Sequence, residues 1–328
     1  MALKIGCVGC GNMGGAIMAG LARKGGYELC GFNRTASRMR PLEELGVRVM
    51  ESPQAVAQAA DVLVLGVKPY QAAEVLAQMR PELTAGKTLV SVAAGVSLQR
   101  LTAAVEGRCP VVRCMPNTPA LVGMGVFALC FDDPDLSDTS KADIQALFGA
   151  LGVCVELPES KFTAFTALIG AGPAYVFAMM QGLVQAGVTL GFQHKESREM
   201  VTALFGGCAK MAEQSTSPIM QLRDDVCSPG GVTIAGVNVL DRAGLAGLLV
   251  ESVLAANARG KEMESCGLHP LLLARCLPLR LTGHENKNRL LLTTAGFSIW
   301  EILMMPGRRG PPCHALVIQA DVQGVPIL

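Results

Sequence analysis

Charged side chains are scarce: Asp, Glu, Lys and Arg make up 17% of the 328 residues, and the formal net charge is +1. A nearly neutral chain generates no field that would gather nucleic acid, so that class of partner is excluded. Aromatic residues amount to 4%, with a single tryptophan. The interior must therefore be built from Ala, Val, Leu and Gly, which suits close-packed helices and strands buried on both faces. Histidine is rare as well. Of the four, only His194 precedes residue 266, and its place beside Lys195 at an expected helix start reads as surface. No basic segment, apolar segment and small-residue cleavage site of a secretory leader opens the chain.

Cysteine is not lacking, yet the twelve present do not form a disulfide framework. Cys7, Cys30, Cys114, Cys130 and Cys154 stand inside apolar strand-like runs, where a free thiol behaves as a small hydrophobe. Reduced thiols and a cytoplasmic location are expected. Cys7 and Cys10 have CxxC spacing but lead into a glycine turn rather than a thioredoxin-like helix. No second pair completes a zinc set, so no metal site is expected.

What is present is an alternation of short apolar runs and helical stretches. Leu3–Val8 leads into Gly9-Cys10-Gly11-Asn12-Met13-Gly14 and an Ala/Leu helix to about Lys24. This is strand, GxGxxG, helix: one glycine for the tight turn, one for approach of a pyrophosphate, one for helix–strand packing. A second strand, Glu28–Asn33, ends about 20 residues later, where an acidic residue would hold the ribose of NAD. The tip is instead Asn33-Arg34-Thr35, and a guanidinium there suits the 2′-phosphate of NADP. Further strands are expected at Val47–Met50, Asp61–Val67, Thr88–Gly95, Val111–Met115, Gly125–Asp132 and Gly152–Leu157. Lys68, Ala93–Gly95 and Pro116–Pro119 then fall at carboxyl ends of strands, where a doubly wound sheet holds its ligands.

After Pro158 the character changes. Phe162–Gln193 carries no formal charge and is long enough to span a bilayer. Pro173 and five glycines interrupt it, and bulky apolar residues are sparse, so a buried subunit interface is the better account than a membrane span. Further on stands Ser228-Pro229-Gly230-Gly231-Val232-Thr233. Here Ser228 is expected to cap a helix whose first residue is Pro229. Backbone N–H groups at Gly230 and Gly231 would face a carboxylate or phosphate, with the Thr233 hydroxyl one turn in.

Taken in order, Gly9–Gly14, Val67-Lys68-Pro69, Met115–Ala120, Gly172-Pro173-Ala174-Tyr175 and Ser228–Thr233 with Leu240-Asp241 resemble the pyrroline-5-carboxylate reductase family over residues 1–265. The resemblance implies an α/β N-terminal Rossmann-type domain (1–158) and an all-α C-terminal dimerisation domain (159–265). It implies NADPH-dependent reduction of 1-pyrroline-5-carboxylate to L-proline, with NADH as a possible substitute, by homodimers that assemble into a decamer away from any membrane. On this basis Ser228, Gly230, Gly231, Val232 and Thr233 meet the substrate, Ser228 at its carboxylate and Thr233 at its ring nitrogen, and Glu159 joins them. Gly9, Gly11, Asn12, Met13 and Gly14 cradle the pyrophosphate. Asn33 and Arg34 meet the adenosine end, and Val67, Lys68, Pro69, Ala93 and Ala94 lie beneath the ribose and nicotinamide.

A protonated imine is already electrophilic, so hydride transfer needs positioning more than acid–base groups, in keeping with the lack of a His or carboxylate dyad near these motifs. Two other classes compete. A different Rossmann oxidoreductase with a helical second domain would carry a catalytic Lys or His on the first long helix, and Phe162–Gln193 has neither. A non-catalytic dinucleotide sensor would not need Ser228 and Thr233. Residues 266–328 match nothing in the family and are expected to form a poorly ordered appendage.

Overall fold

The apolar runs become one eight-stranded sheet in the computed structural model, which describes residues 2–265 and the strand pair Thr293–Thr294 and Phe297–Ser298. The strands are β1 (Leu3–Val8), β2 (Tyr27–Phe32), β3 (Arg48–Val49), β4 (Val62–Leu65), β5 (Thr88–Ser91), β6 (Val111–Met115), β7 (Gly125–Cys130) and β8 (Gly152–Glu156). Their order across the sheet is β3-β2-β1-β4-β5-β6-β7-β8. The chain winds outward from β1 to β3, then returns to β4 and winds the other way, which makes the β1–β4 boundary the switch point where a crevice opens.

The first six strands are parallel, but β7 runs antiparallel to β6, with Arg113 opposite Cys130. Only residues 116–124 join the two, folded into the 3₁₀ turn Thr118–Val122, and a parallel crossover needs a dozen residues or more. β8 then follows β7 in parallel through the helix Asp138–Gly149. Strands end sooner than the apolar runs: β4 stops at Leu65 and β5 at Ser91, so Val67 and Ala93–Gly95 lie in loops above the sheet.

Alternate strand residues feed two apolar layers. Ile5, Cys7, Val64, Val90 and Phe127 pack with Ile17 and Leu21 on one face. Val8, Leu63, Leu65, Leu89 and Val111 pack with Val56, Leu76 and Leu101 on the other. Cys7, Cys10, Cys30, Cys109 and Cys114 belong to these layers, and Cys130 to a smaller cluster with Phe162 and Phe165. Burial pushes Cys7, Cys30 and Cys114 up from the ordinary thiol range, with a Cys10 contact the larger cause at Cys7, and pushes Cys109 and Cys130 up to about 11.

Residues 159–265 are helical: Phe162–Phe165, Gly172–Thr189, His194–Gln214, Ile219–Asp225, Val232–Arg242 and Leu245–Ser265. Between the first two the backbone widens into a π turn, Thr166–Gly170, with Ala171 N–H bonded five residues back to Thr166 O at 2.8 Å. Pro173 has no N–H to give the carbonyl of Ile169, and Asn117 Nδ2 donates to that carbonyl instead, at 3.5 Å. His194 is an exposed first helical residue behind a Gln193/Glu196 capping box.

The stretch Glu159–Thr189 is apolar enough to cross a bilayer by length and composition, with a mean hydropathy of 1.5, and 17% of that window is buried within the chain. Two compact units divide the chain, Met1–His269 and Pro270–Leu328. In the second, Thr294 and Phe297 pair antiparallel; otherwise the expectation for the appendage lies outside the described residues.

Candidate active site

The glycine turn is shaped by what a side chain would strike. Gly9 has φ +95°, and a Cβ there would lie 2.7 Å from the backbone of Gly66 and Val67. At Gly14 it would lie 2.4 Å from Gly9 O, so helix and turn meet at backbone contact. A Cβ on Gly11 meets nothing within 4 Å, which leaves open space at the tip of the turn. The helix Asn12–Lys24 starts there with Gly11 as N-cap and no side-chain cap, so its first-turn N–H groups have no acceptor within the helix. Open space beside uncapped donors fits a pyrophosphate.

Two cavities meet at Gly11. One, about 360 Å³, is lined by Gly9, Asn33, Arg34, Val67 and Lys68. The other, about 730 Å³, is lined by Asn12, Met13, Arg38 and Thr118. At the β2 tip Asn33 Nδ2 donates to Thr35 O at 3.1 Å, which curls the loop and leaves Arg34 exposed toward the smaller cavity. Arg38 was not singled out from the sequence. Its Nη1 donates to Asn12 Oδ1 at 3.1 Å, tying the strand tip to the glycine turn, and its spacing of four from Arg34 was the available signal. Glu74 also lines the smaller cavity, from the helix Ala72–Met79 rather than from the β2 tip. Pro69 opens a 3₁₀ turn directly after Lys68, Ala93 is buried, and Ala94 is exposed at the β5 end.

The Ser228–Thr233 turn is built differently from expectation. Ser228 is not a helix cap and Pro229 is not helical. Gly230 adopts φ +66°, a left-handed conformation that stops helix propagation, and Gly231 N–H bonds Ser228 O at 3.0 Å to close a turn. The helix therefore begins at Val232, capped by Gly231 without a side-chain bond. Its uncapped N–H groups, the Thr233 hydroxyl and Ser228 still share one exposed end, where Val232 is 92% exposed. Arg223 bonds Asp241 at 3.4 Å, in the last turn of this helix and away from its exposed start. The two cavities at Gly11 contain no residue of this turn, so one chain does not bring turn and cleft together there.

Glu159 is placed apart from that turn. Its Oε1 accepts the Leu98 N–H and Arg113 Nη1, each at 2.5 Å, and its own N–H donates to Asp132 Oδ2 at 3.0 Å. Arg113 in turn lies 4.7 Å over the Phe162 ring.

A switch-point crevice, an uncapped glycine turn and a guanidinium at the β2 tip define an NADP-binding oxidoreductase of the Rossmann type, joined to a helical domain. Residues 4–95 match the family model described as NADP oxidoreductase coenzyme F420-dependent, and residues 159–263 match pyrroline-5-carboxylate reductase dimerisation. A pyrroline-5-carboxylate reductase of Pisum sativum is 35% identical over 263 residues, covering 79% of this chain and 96% of that one. Among solved structures, the pyrroline carboxylate reductase of Plasmodium falciparum with NADP bound is 30% identical, with TM-score 0.71, covering 80% and 98%. That of Coxiella burnetii is 30% identical, with TM-score 0.75, covering 80% and 99%. The chain belongs to the pyrroline-5-carboxylate reductase family.

Proposed function

We propose that the chain reduces 1-pyrroline-5-carboxylate to L-proline with NADPH, as a cytoplasmic homodimer in which the Ser228–Thr233 turn of one chain closes over the cofactor cleft of its partner. The observation that carries this is the exposed, uncapped helix end at Gly231–Thr233, which lines neither cavity at the glycine turn of its own chain. Such an end suits an anion, and the substrate carboxylate supplies one. The apolar stretch Glu159–Thr189 then faces a second copy rather than lipid, and its overlap with the dimerisation family model supports that. Further assembly into a decamer belongs to the same proposal, with residues 1–158 as the dinucleotide-binding domain and 159–265 as the dimerisation domain.

NADPH supplies the hydride. Gly9, Gly11, Asn12, Met13 and Gly14 hold the pyrophosphate on backbone N–H groups, and Arg34 beside Asn33 pairs with the 2′-phosphate, which favours NADPH over NADH. Val67, Lys68, Pro69, Ala93 and Ala94 form the floor for ribose and nicotinamide. Ser228, Gly230, Gly231 and Val232 hold the carboxylate, and the Thr233 hydroxyl bonds the ring nitrogen, fixing the imine carbon toward the donor. The imine arrives protonated, so no residue has to move a proton before the hydride passes.

The test is the fall in nicotinamide absorbance when NADPH and pyrroline-5-carboxylate are mixed with the protein, with proline identified as product. A dimer that binds NADPH but gives no proline would sink the reaction. A monomer that turns over fully would sink the shared site.

A further inference from the structure

Glu159 is a point where the sheet and the helical half are joined. One oxygen of its carboxylate receives two donors from separate elements. Leu98 opens the helix that follows the Ala93–Gly95 loop, and Arg113 is the middle residue of β6. A third tie, from the Glu159 N–H to Asp132, reaches the end of β7. The Arg113 side chain is 9% exposed and sandwiched between this carboxylate and Phe162, the first residue of the helix that Glu159 leads into. Gly95 and Glu159 line the same cavity, of about 400 Å³.

Buried guanidinium groups hold their carboxylate partners tightly, because separating the pair leaves an uncompensated charge in a poorly solvated place. The carboxylate that Arg113 holds also accepts the Leu98 N–H, and so fixes the chain three residues after the Ala93–Gly95 loop against the first helix of the helical half. Resting on the family reading above, in which that loop lies under the nicotinamide, we propose that Glu159 and Arg113 are positioning residues for hydride transfer. Glu159 is then not a ligand of the substrate. The pair fixes the height of the nicotinamide floor against the helices, and a shift of about 1 Å there is enough to cost a large factor in rate.

The test uses the full chain with Glu159→Gln, Glu159→Ala and Arg113→Lys. The amide of Gln keeps an acceptor for Leu98 without the ion pair. Lys keeps the charge but loses the planar fork and its stacking on Phe162. We expect Glu159→Ala to lower kcat about 30-fold and Glu159→Gln about 5-fold, with KM for pyrroline-5-carboxylate and Kd for NADPH moving less than about 2-fold. The primary isotope effect from NADPH deuterated at C4 should rise in the same order. The emission of bound NADPH, which needs no turnover, should fall as the ring loosens. Combining Glu159→Ala with Arg113→Lys should add little to the single change, since the two act as a unit.

A raised KM for the imine at unchanged kcat would overturn the proposal in favour of a substrate ligand. A lowered melting temperature with unchanged kcat and unchanged emission would overturn it in favour of plain structural support. If Glu159→Ala does not fold, Glu159→Gln and Arg113→Lys carry the same outcomes. A wild-type chain that makes no proline would fail the reading of the reaction, while the emission comparison would still decide on the clasp.

Discussion

Leu63, Val64 and Leu65 of β4 are sealed from solvent, at 0% exposure, between the helices on both faces of the sheet, whereas Val250 and Leu254 of the last helix stand 58% and 59% exposed. The contrast extends through both halves. Among the described residues, the buried apolar side chains after residue 158 are Phe162, Phe165, Ala167, Val184 and Val201, while Phe177, Leu183, Leu204 and Leu248 are open. The α/β half completes its own core. The helical half has apolar faces that its own chain leaves uncovered, and apolar surface on this scale marks an interface. The Ser228–Thr233 turn sits in the half that is incomplete, and the cofactor cleft in the half that is complete.

The hardest blow to that division is to charge the open face. Val250 and Leu254 lie one turn apart on the same side of their helix. Val250→Glu with Leu254→Glu should abolish the oligomer and lower turnover more than about 100-fold, because a desolvated carboxylate at each copy of an interface is not tolerated. NADPH binding should survive, since the α/β half needs no partner for its core. Sedimentation and NADPH fluorescence on the same sample decide the matter. An intact dimer, or loss of NADPH binding together with the dimer, would break the comparison.

Next in size is Thr233→Val, nearly the same shape without a hydroxyl that can bond the substrate. It should cut kcat/KM by roughly ten- to several-hundred-fold at unchanged NADPH affinity, the worth of one hydrogen bond to a charged group. Ser228→Ala should act more on KM than on kcat, because a carboxylate anchor serves ground state and transition state alike. Wild-type kcat/KM in the Val variant would reduce Thr233 to a packing residue of the first helical turn. On the other half, Arg34→Ala should raise KM for NADPH roughly 10- to 100-fold and leave KM for NADH almost unmoved. Equal losses with both cofactors would show that Arg34 does not meet the phosphate.

What the sequence made legible follows the same division. Apolar runs bounded by glycines give parallel strands directly, and GxGxxG between strand and helix leads to the switch point, because these features are local. The reversal at β7 was harder: it depends on counting the nine residues of the β6–β7 connection against the length that a crossover needs. At Ser228-Pro229-Gly230-Gly231 the chain offers two readings, cap or turn, and only the left-handed Gly230 decides for the turn. The partners of the Glu159 carboxylate lie 46 and 61 residues away, beyond the reach of any periodicity. One signal was available, the lone arginine in Val111-Val112-Arg113-Cys114-Met115. A charge inside a strand otherwise fully apolar needs a carboxylate partner.

The smallest expected effect uses the thiols to sharpen the contrast between the halves. Cys109 and Cys130, 3% and 0% exposed, belong to the sealed half, and burial pushes each thiol up to about 11 from the ordinary 9.0. The folded state therefore keeps both protons where the unfolded chain begins to lose them. Stability from this source is fully present below pH 9 and drains away as pH rises toward 11, because over that interval the unfolded state binds fewer protons. Each thiol contributes at most about 2.7 kcal/mol across the window, at 1.36 kcal/mol per pKa unit, and less where solvent screens the thiolate. Cys208, exposed on the helix His194–Gln214, should react before Cys109 and Cys130 with an alkylating reagent in the native protein. The measurement is the melting temperature from pH 8 to 11 for wild type and for Cys109→Ala with Cys130→Ala. The double variant should start less stable, from two small cavities, and should lose less on the alkaline side. Parallel curves, or rapid alkylation of Cys109 and Cys130 alongside Cys208, would mean that the α/β half opens to solvent far more readily than its packing implies.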